Sequence, residues 1–173
     1  MYLAQVLYGL DPILGDSLET RLPTSEVFKD SYITLLSQLS VLLREPENRN
    51  KELFKANFEK FVSVLEKFLL VEEARDIVME LLKVLINGVA DNDENRDVFL
   101  HNDDVWKAIS KFSIEEFDDE EVHERLFLLI GNIIVEDVDH GRGKGKYLEK
   151  AAKELAENLY RYVQYSPEHQ AGV

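Results

Sequence analysis

The chain has 173 residues, 45% of them apolar, with eight glycines, four prolines and no cysteine. That length and composition suit one folded domain with a sizeable core, and they exclude a low-complexity or disordered chain. The lack of cysteine removes disulfides, thiolate metal sites and thiol nucleophiles, and a net charge of −14 disfavours direct contact with nucleic acid or anionic lipid.

The opening stretch, MYLAQVLYGLDPILGD, has no basic segment and carries Asp11 and Asp16, so no signal peptide is expected. Residues 23–43 set Val27, Phe28, Ile33, Leu35, Leu36, Leu39, Leu42 and Leu43 near helical spacing. Pro23, Thr24 and Ser25 make a plausible helix start, and Pro46 a stop. Residues 51–70 predict an amphipathic helix, with Leu53, Phe54, Phe58, Phe61, Val62, Leu65, Phe68 and Leu69 on one side. Residues 72–90 predict a third helix, apolar nearly all round toward its end, which marks a buried helix. Two short helices follow, 94–100 and 103–112. Ser113 stands three residues before Glu116, a capping-box pattern that predicts the start of the next long helix. That helix is again nearly all apolar over LFLLIGNIIV, a run far short of the ~20 residues of a membrane span. The segment 136–146 is expected as a loop, 147–163 as a last amphipathic helix and 166–173 as a frayed tail. No strand is expected. Residues 1–165 are expected as a single domain of a soluble, cytoplasmic protein.

The triplet Glu-Asn-Arg occurs twice, at Glu47–Arg49 and at Glu94–Arg96, 47 residues apart. The same offset carries Leu35 onto Leu82, Leu39 onto Ile86, Ser40 onto Asn87 and Leu42 onto Val89. A third copy lies 45 residues further on, where Leu81, Leu85, Asn87 and Val89 match Leu126, Ile130, Asn132 and Ile134. A period of ~40–47 residues is that of armadillo and HEAT units, whose apolar helices are buried by stacked neighbours. The expected fold is therefore all-α: an armadillo/HEAT-like, right-handed helical solenoid of about three repeats. The triplet would sit at the turn between units, where Asn and Asp satisfy free backbone groups.

Within these copies, LLKVLINGVADNDENRDVF and LFLLIGNIIVEDVDHGR resemble the armadillo pattern of a buried third helix carrying Asn. A D-x-x-x-x-R turn follows in each, Asp91 to Arg96 and Asp137 to Arg142. GNIIVEDVDHGR is similar to a signature of the small-GTPase GDP-dissociation stimulators (SmgGDS-like). YGLDPIL and LREPENR resemble the fungal bud-emergence branch of that family. The resemblance implies an N-terminal portion of a longer, non-catalytic protein that binds a Rho-type small GTPase in polarity signalling. In armadillo proteins the third-helix Asn can bond a bound peptide's backbone. By resemblance that role falls on Asn87 and Asn132, with Ser40 interrupting the ladder. Ataxin-10-like proteins carry comparable helices, so a scaffold for an unrelated partner remains the alternative.

No enzyme chemistry is visible. His101, His123, His140 and His169 stand in no paired ligand spacing. Asp137, Asp139 and His140 lack the spacing and closing Glu of a calcium loop. GRGKGKY fails as a phosphate loop, because His140 and Tyr147 stand where Gly and Ser or Thr are needed. Neither metal nor cofactor is expected. Arg142 and Lys144 belong to a basic loop that could meet an acidic patch or serve as a plain connection. The run 115–124 holds Asp118, Asp119, Glu120 and Glu121. It is either a solvated helix start favoured by the helix dipole or a dock for a basic GTPase tail. Glu136, Asp137 and Asp139 would stand on the same edge. Helix 147–163 is expected to expose an apolar edge through which the chain could dimerise.

Overall fold

The computed structural model describes residues 2–15, 26–114, 119–139 and 145–155, with side chains described except at 26–28, 113–114 and 136–139. Among the described residues every regular element is helical. The helices are α1 (Leu3–Leu14), α2 (Glu26–Leu42), α3 (Pro46–Arg49), α4 (Glu52–Phe68), α5 (Arg75–Val89), α6 (Asp93–Leu100), α7 (Asp103–Ile114), α8 (Glu120–Asp139) and α9 (Lys146–Leu155), with a 3-10 turn at Glu72–Ala74 before α5.

Helix α5 lies between α2 and α8, and α4 packs against a third side. That placement explains its composition: Ile77, Val78, Leu81, Leu82, Val84, Leu85, Ile86 and Val89 are all buried. A second layer runs behind the row, with α4 touching α1 on one flank and α7 on the other, and α7 touching α9. Edge-on aromatic contacts bind that layer together, Phe54 to Phe58 at 5.7 Å, Phe58 to Phe99 at 6.1 Å and Phe99 to Trp106 at 6.2 Å. Gly88 is where α5 meets this stack. A Cβ there would come within 3.0 Å of the Phe58 ring and 3.2 Å of Phe54.

The repeated triplet has a physical explanation in this packing. The last carbonyls of a helix lack intrahelical partners. At the end of α2 the Asn48 amide donates to the Leu42 carbonyl (2.8 Å), and the Arg49 guanidinium donates to Leu43 and Arg44 (3.2 and 3.3 Å). At the end of α5 the Asn95 amide donates to the Gly88 carbonyl (2.8 Å). Arg96, 1% exposed, departs from the pattern and reaches across to the Asn132 carbonyl on α8 at 3.1 Å. Asn92 caps α6 by accepting from the Asn95 N–H at 2.9 Å, and its amide donates to the Arg49 carbonyl at 3.2 Å. The turn between them needs Asp91 at φ 49°, a left-handed conformation that Asp tolerates better than most residues.

Several boundaries differ from the sequence expectations. Helix α1 is not among the predicted elements, although Leu3, Val6, Leu7, Leu10, Ile13 and Leu14 are buried at helical spacing. The expected loop at 136–146 begins later, because α8 runs through Asp139. Between Asn132 and His140 the sequence has no glycine or proline to break it. Ser113 does not start a helix: it lies in the last turn of α7, and Glu116 falls outside the described residues. The contacts at the start of α8 come from Asp119, whose carboxylate accepts from the Val122 N–H and whose carbonyl accepts from the His123 N–H. The start at Pro23–Ser25, the residues of helix 147–163 beyond Leu155 and the tail at 166–173 also lie outside the described residues.

Asn95→Ala would strip the Gly88 carbonyl of its partner inside the packed row. A loss of about 1–3 kcal/mol is expected in denaturant unfolding. Asn57→Ala removes a bond to the Leu53 carbonyl at an exposed position and should change little.

Candidate functional site

The open side of the row carries the stripe that is left unburied on each helix. On α5 it includes Asp76, Glu80, Lys83 and Asn87, with Ala90 just past its end, and on α8 it includes Glu121, Glu124, Leu128, Gly131, Asn132 and Val135. Asn87 and Asn132 both lie here, half-buried. Their amides are engaged within the protein: Asn87 donates to the Ser40 carbonyl on α2 (2.8 Å), and Asn132 donates to the Ile86 carbonyl on α5 (3.1 Å). Arg125 makes a parallel bond to the Met79 carbonyl. These amides join neighbouring helices in register.

The acidic residues separate into distinct groups. Asp119 lies beside the start of α5, where Arg75 donates to both carboxylate oxygens, through Nε at 2.5 Å and Nη2 at 3.3 Å. Glu121 stands 3.5 Å from the same guanidinium and is exposed, as is Glu120. Burial by itself would raise the Asp119 pKa. The Arg75 hydrogen bond, the Val122 N–H and the Arg75 charge outweigh it and hold the carboxyl below the usual range. The same partnership pushes the Arg75 pKa up. Glu136, Asp137 and Asp139 are placed by their backbone in the last turns of α8. Asp118, Arg142 and Lys144 lie outside the described residues.

A denser acidic surface lies on the other layer. Helices α4, α6 and α7 enclose a groove of about 670 Å³ lined by Glu59, Glu66, Glu94, Asp97, Asp103 and Asp104. Among the described residues its basic linings are Lys107 and His101. Burial and then the neighbouring charge of Asp104 push the Glu66 carboxyl up, with Lys67 opposing. Lysines grip the rim: Lys55 meets Glu94 at 3.0 Å, Lys146 meets Asp97 at 3.3 Å, and Lys150 pairs with Asp103. Tyr147 donates to Asp97 at 2.7 Å, and burial followed by that bond raises its pKa. These carboxylates come from three helices, so none of the acidic runs in the sequence marks the groove. Among the described residues no group of three or more His, Asp or Glu side chains is arranged to hold a metal, and no helix is long and apolar enough to cross a membrane.

A family model described as the BEM4 N-terminal domain matches residues 1–168. The chain belongs to that family. A BEM4-type relative, the GTPase-GDP dissociation stimulator BEM4 of Saccharomyces cerevisiae (strain ATCC 204508 / S288c), is 32% identical over 108 residues, which covers 56% of this chain. The matched part spans 17% of the relative's length. No solved structure matches the chain. The relative's name carries the dissociation-stimulator role that the sequence resemblance implied. In this BEM4 N-terminal domain, the structure assigns one residue of the sequence's acidic patch, Asp119, to an internal ion pair, and it reveals a separate acidic groove.

The Arg75–Asp119 pair generates a pH prediction. Because the folded pKa of Asp119 is depressed, its contribution is present above the unfolded value of about 3.9 and lost as pH falls through the folded value. Asp119→Asn should therefore flatten the stability profile below about pH 4. Thermal unfolding measured from pH 6 to pH 2 checks this.

Proposed function

We propose that the chain is a non-catalytic module that binds a small GTPase of Rho type and contributes to its regulation. It is organised as about three armadillo-like units, forms a single domain over residues 1–165, and works in the cytoplasm. Membership of the BEM4 N-terminal domain family, together with a relative named as a GTPase-GDP dissociation stimulator, carries this reading. The charge supports it: −14 overall, concentrated at the α4–α6–α7 groove and at the exposed Glu120 and Glu121. Such surfaces suit the Lys- and Arg-rich tails of many small GTPases by complementarity and by steering.

The groove is the better dock for such a tail. It is concave and gathers six carboxylates; Glu94, Asp97 and Asp103 are held at the rim by Lys55, Lys146 and Lys150, and Asp104 stands 3.9 Å from Lys107, so the acidic residues still outnumber their lysines. On the sequence's acidic run, the Asp119 carboxylate is already satisfied by Arg75. Asn87 and Asn132 contribute by holding the row in register, with any partner contact on the open face coming second. Glu136, Asp137 and Asp139, whose backbone lies in the last turns of α8, and Arg142 and Lys144, which lie outside the described residues, are proposed as further partner contacts by their charge alone. Self-association through the last helix gains nothing from the described part of that helix. The exposed positions of the described part of α9 are Lys146, Glu149, Ala152 and Lys153, which are mainly charged.

Exposed ion pairs contribute about 0.2–1 kcal/mol each, so Glu59→Lys with Asp104→Lys should weaken binding of a basic-tailed GTPase roughly two- to thirtyfold. The same pair should not affect a GTPase with its tail deleted. Glu120→Lys with Glu121→Lys is expected to have the smaller effect. Affinity should fall with added salt, since charges are screened beyond roughly 8 Å at 0.15 M. Titration calorimetry on purified Rho-type GTPases, nucleotide-free and loaded, provides the measurement. Equal binding of tailed and tail-less forms by the groove mutant removes the docking claim. Failure of every such GTPase to bind in low salt favours a scaffold for another protein.

A further inference from the structure

We infer that α9 is an internal competitor for the acidic groove: its lysines hold two of the groove's carboxylates in the free chain, and a basic partner segment must displace those lysines to use them. Given the reading of the α4–α6–α7 groove as the dock for a basic segment, on which this inference rests, α9 sets how much of that dock is available. The groove's carboxylates come from α4, α6 and the start of α7, and no residue of α9 is among its lining. Helix α9 nevertheless reaches two of them. Lys146 stands 3.3 Å from Asp97, Lys150 donates to Asp103, and the Tyr147 hydroxyl donates to Asp97 at 2.7 Å. Lys55, which meets Glu94, differs because it lies on α4 and ties two walls of the groove to each other.

Two separate sets of contacts hold α9. Tyr147, Ala151 and Leu155 are buried along one face and fix the helix against α7 and α8. The lysines form a polar set beside them. Lys146 is exposed and Lys150 half-buried, one helical turn apart. The carboxylates they meet stay open to solvent, with the Asp97 and Asp103 side chains 41% and 62% exposed. Exposed ion pairs are weak, and exposed side chains change rotamer quickly. The helix can therefore stay docked while its ammonium groups give way. The Lys150 hydrogen bond, and then the Lys150 charge, hold the Asp103 carboxyl below its usual pKa range, and the same bond raises the Lys150 pKa. Both groups are thus charged near neutral pH, as an exchange of cations on a carboxylate requires.

The chemistry of these contacts specifies what displaces them. The incoming groups are ammonium or guanidinium groups on flexible stems, because they take the place of lysines on carboxylates. Glu59 and Glu66, both on α4, line the same groove, and among the described residues neither is paired with a lysine of α9. They give a basic segment a foothold that needs no exchange. Asp97 and Asp103 are then gained only as Lys146 and Lys150 leave.

An octalysine peptide serves as the probe, titrated into the 173-residue chain by calorimetry at low salt. Lys146→Gln with Lys150→Gln should tighten its binding roughly two- to thirtyfold, the range expected when two exposed pairs no longer compete. Lys29→Gln with Lys83→Gln makes the same change in net charge on α2 and α5, which do not line the groove, and shows the gain due to charge alone. Equal gains in the two double variants would overturn the inference. Displacement is read directly in the unmutated chain by heteronuclear NMR of the lysine side-chain ends, where the Lys146 and Lys150 signals should move as the peptide saturates. Signals that stay in place would overturn it as well. Glu59→Gln with Glu66→Gln separates the competitor role from the dock itself. If that variant binds the peptide more weakly while the α9 variant gains no more than the charge control, the groove reading stands and the competitor role falls. If the peptide fails to bind, or binds the Glu59 and Glu66 variant as it binds the parent, the groove reading falls and the competitor role falls with it.

Discussion

A helix end enclosed by its neighbours cannot turn its last carbonyls to water, so a neighbour must satisfy them. Helix α5 is in that position, with α2, α4 and α8 around it. Much of the organisation follows from that requirement. The short helices after α2 and α5 fold back so that Asn48 and Asn95 can reach the carbonyls of Leu42 and Gly88. The arginines beside them, Arg49 and Arg96, are drawn under cover by the same need. Arg96 then links α6 to α8 through the Asn132 carbonyl. The recurrence of Glu-Asn-Arg reflects this shared boundary problem more than a shared ligand.

The same economy governs the open stripe of the row. Asn87 and Asn132 are positioned to meet a partner, yet their amides are bound to the helix before them. A side chain already bonded inside the fold must lose that bond to serve a ligand, which lowers its net contribution to binding. Partner recognition is better carried by groups that the fold leaves to solvent. In this chain those are chiefly carboxylates, and they gather where α4, α6 and α7 meet. Lysines at the rim keep that concentration of charge compatible with folding, and among the lining residues Glu66 has a raised pKa.

Much of the helical content was legible in the sequence. The spacing of Phe54, Phe58, Phe61 and Leu65 marked α4, and the all-apolar end of 72–90 marked α5 as buried. The offset that pairs Ser40 with Asn87 also found two residues that touch, since Asn87 donates to the Ser40 carbonyl. Helix α1 was equally legible from Leu3, Val6, Leu7 and Leu10 but is interrupted by Pro12 near its end, which weakens the local helix signal. The end of α8 was obscured by the acidic residues Glu136, Asp137 and Asp139, which read as a turn although nothing there breaks a helix.

By itself, then, the sequence determined the all-helical class, the burial of the α5 segment and the recurrence of the Glu-Asn-Arg triplet. These depend on periodicity and propensity within one segment or on a constant offset between segments, and both are written along the chain. Only the tertiary structure decided which charges remain available. Arg75 and Asp119 are 44 residues apart, and their pairing follows from how α5 and α8 lie side by side. The acidic groove gathers Glu59, Asp97 and Asp104 from three helices, each carboxylate unremarkable in its own segment. Charge is a property of residues, whereas electrostatic potential depends on distances between them, and those distances exist only once the helices have packed.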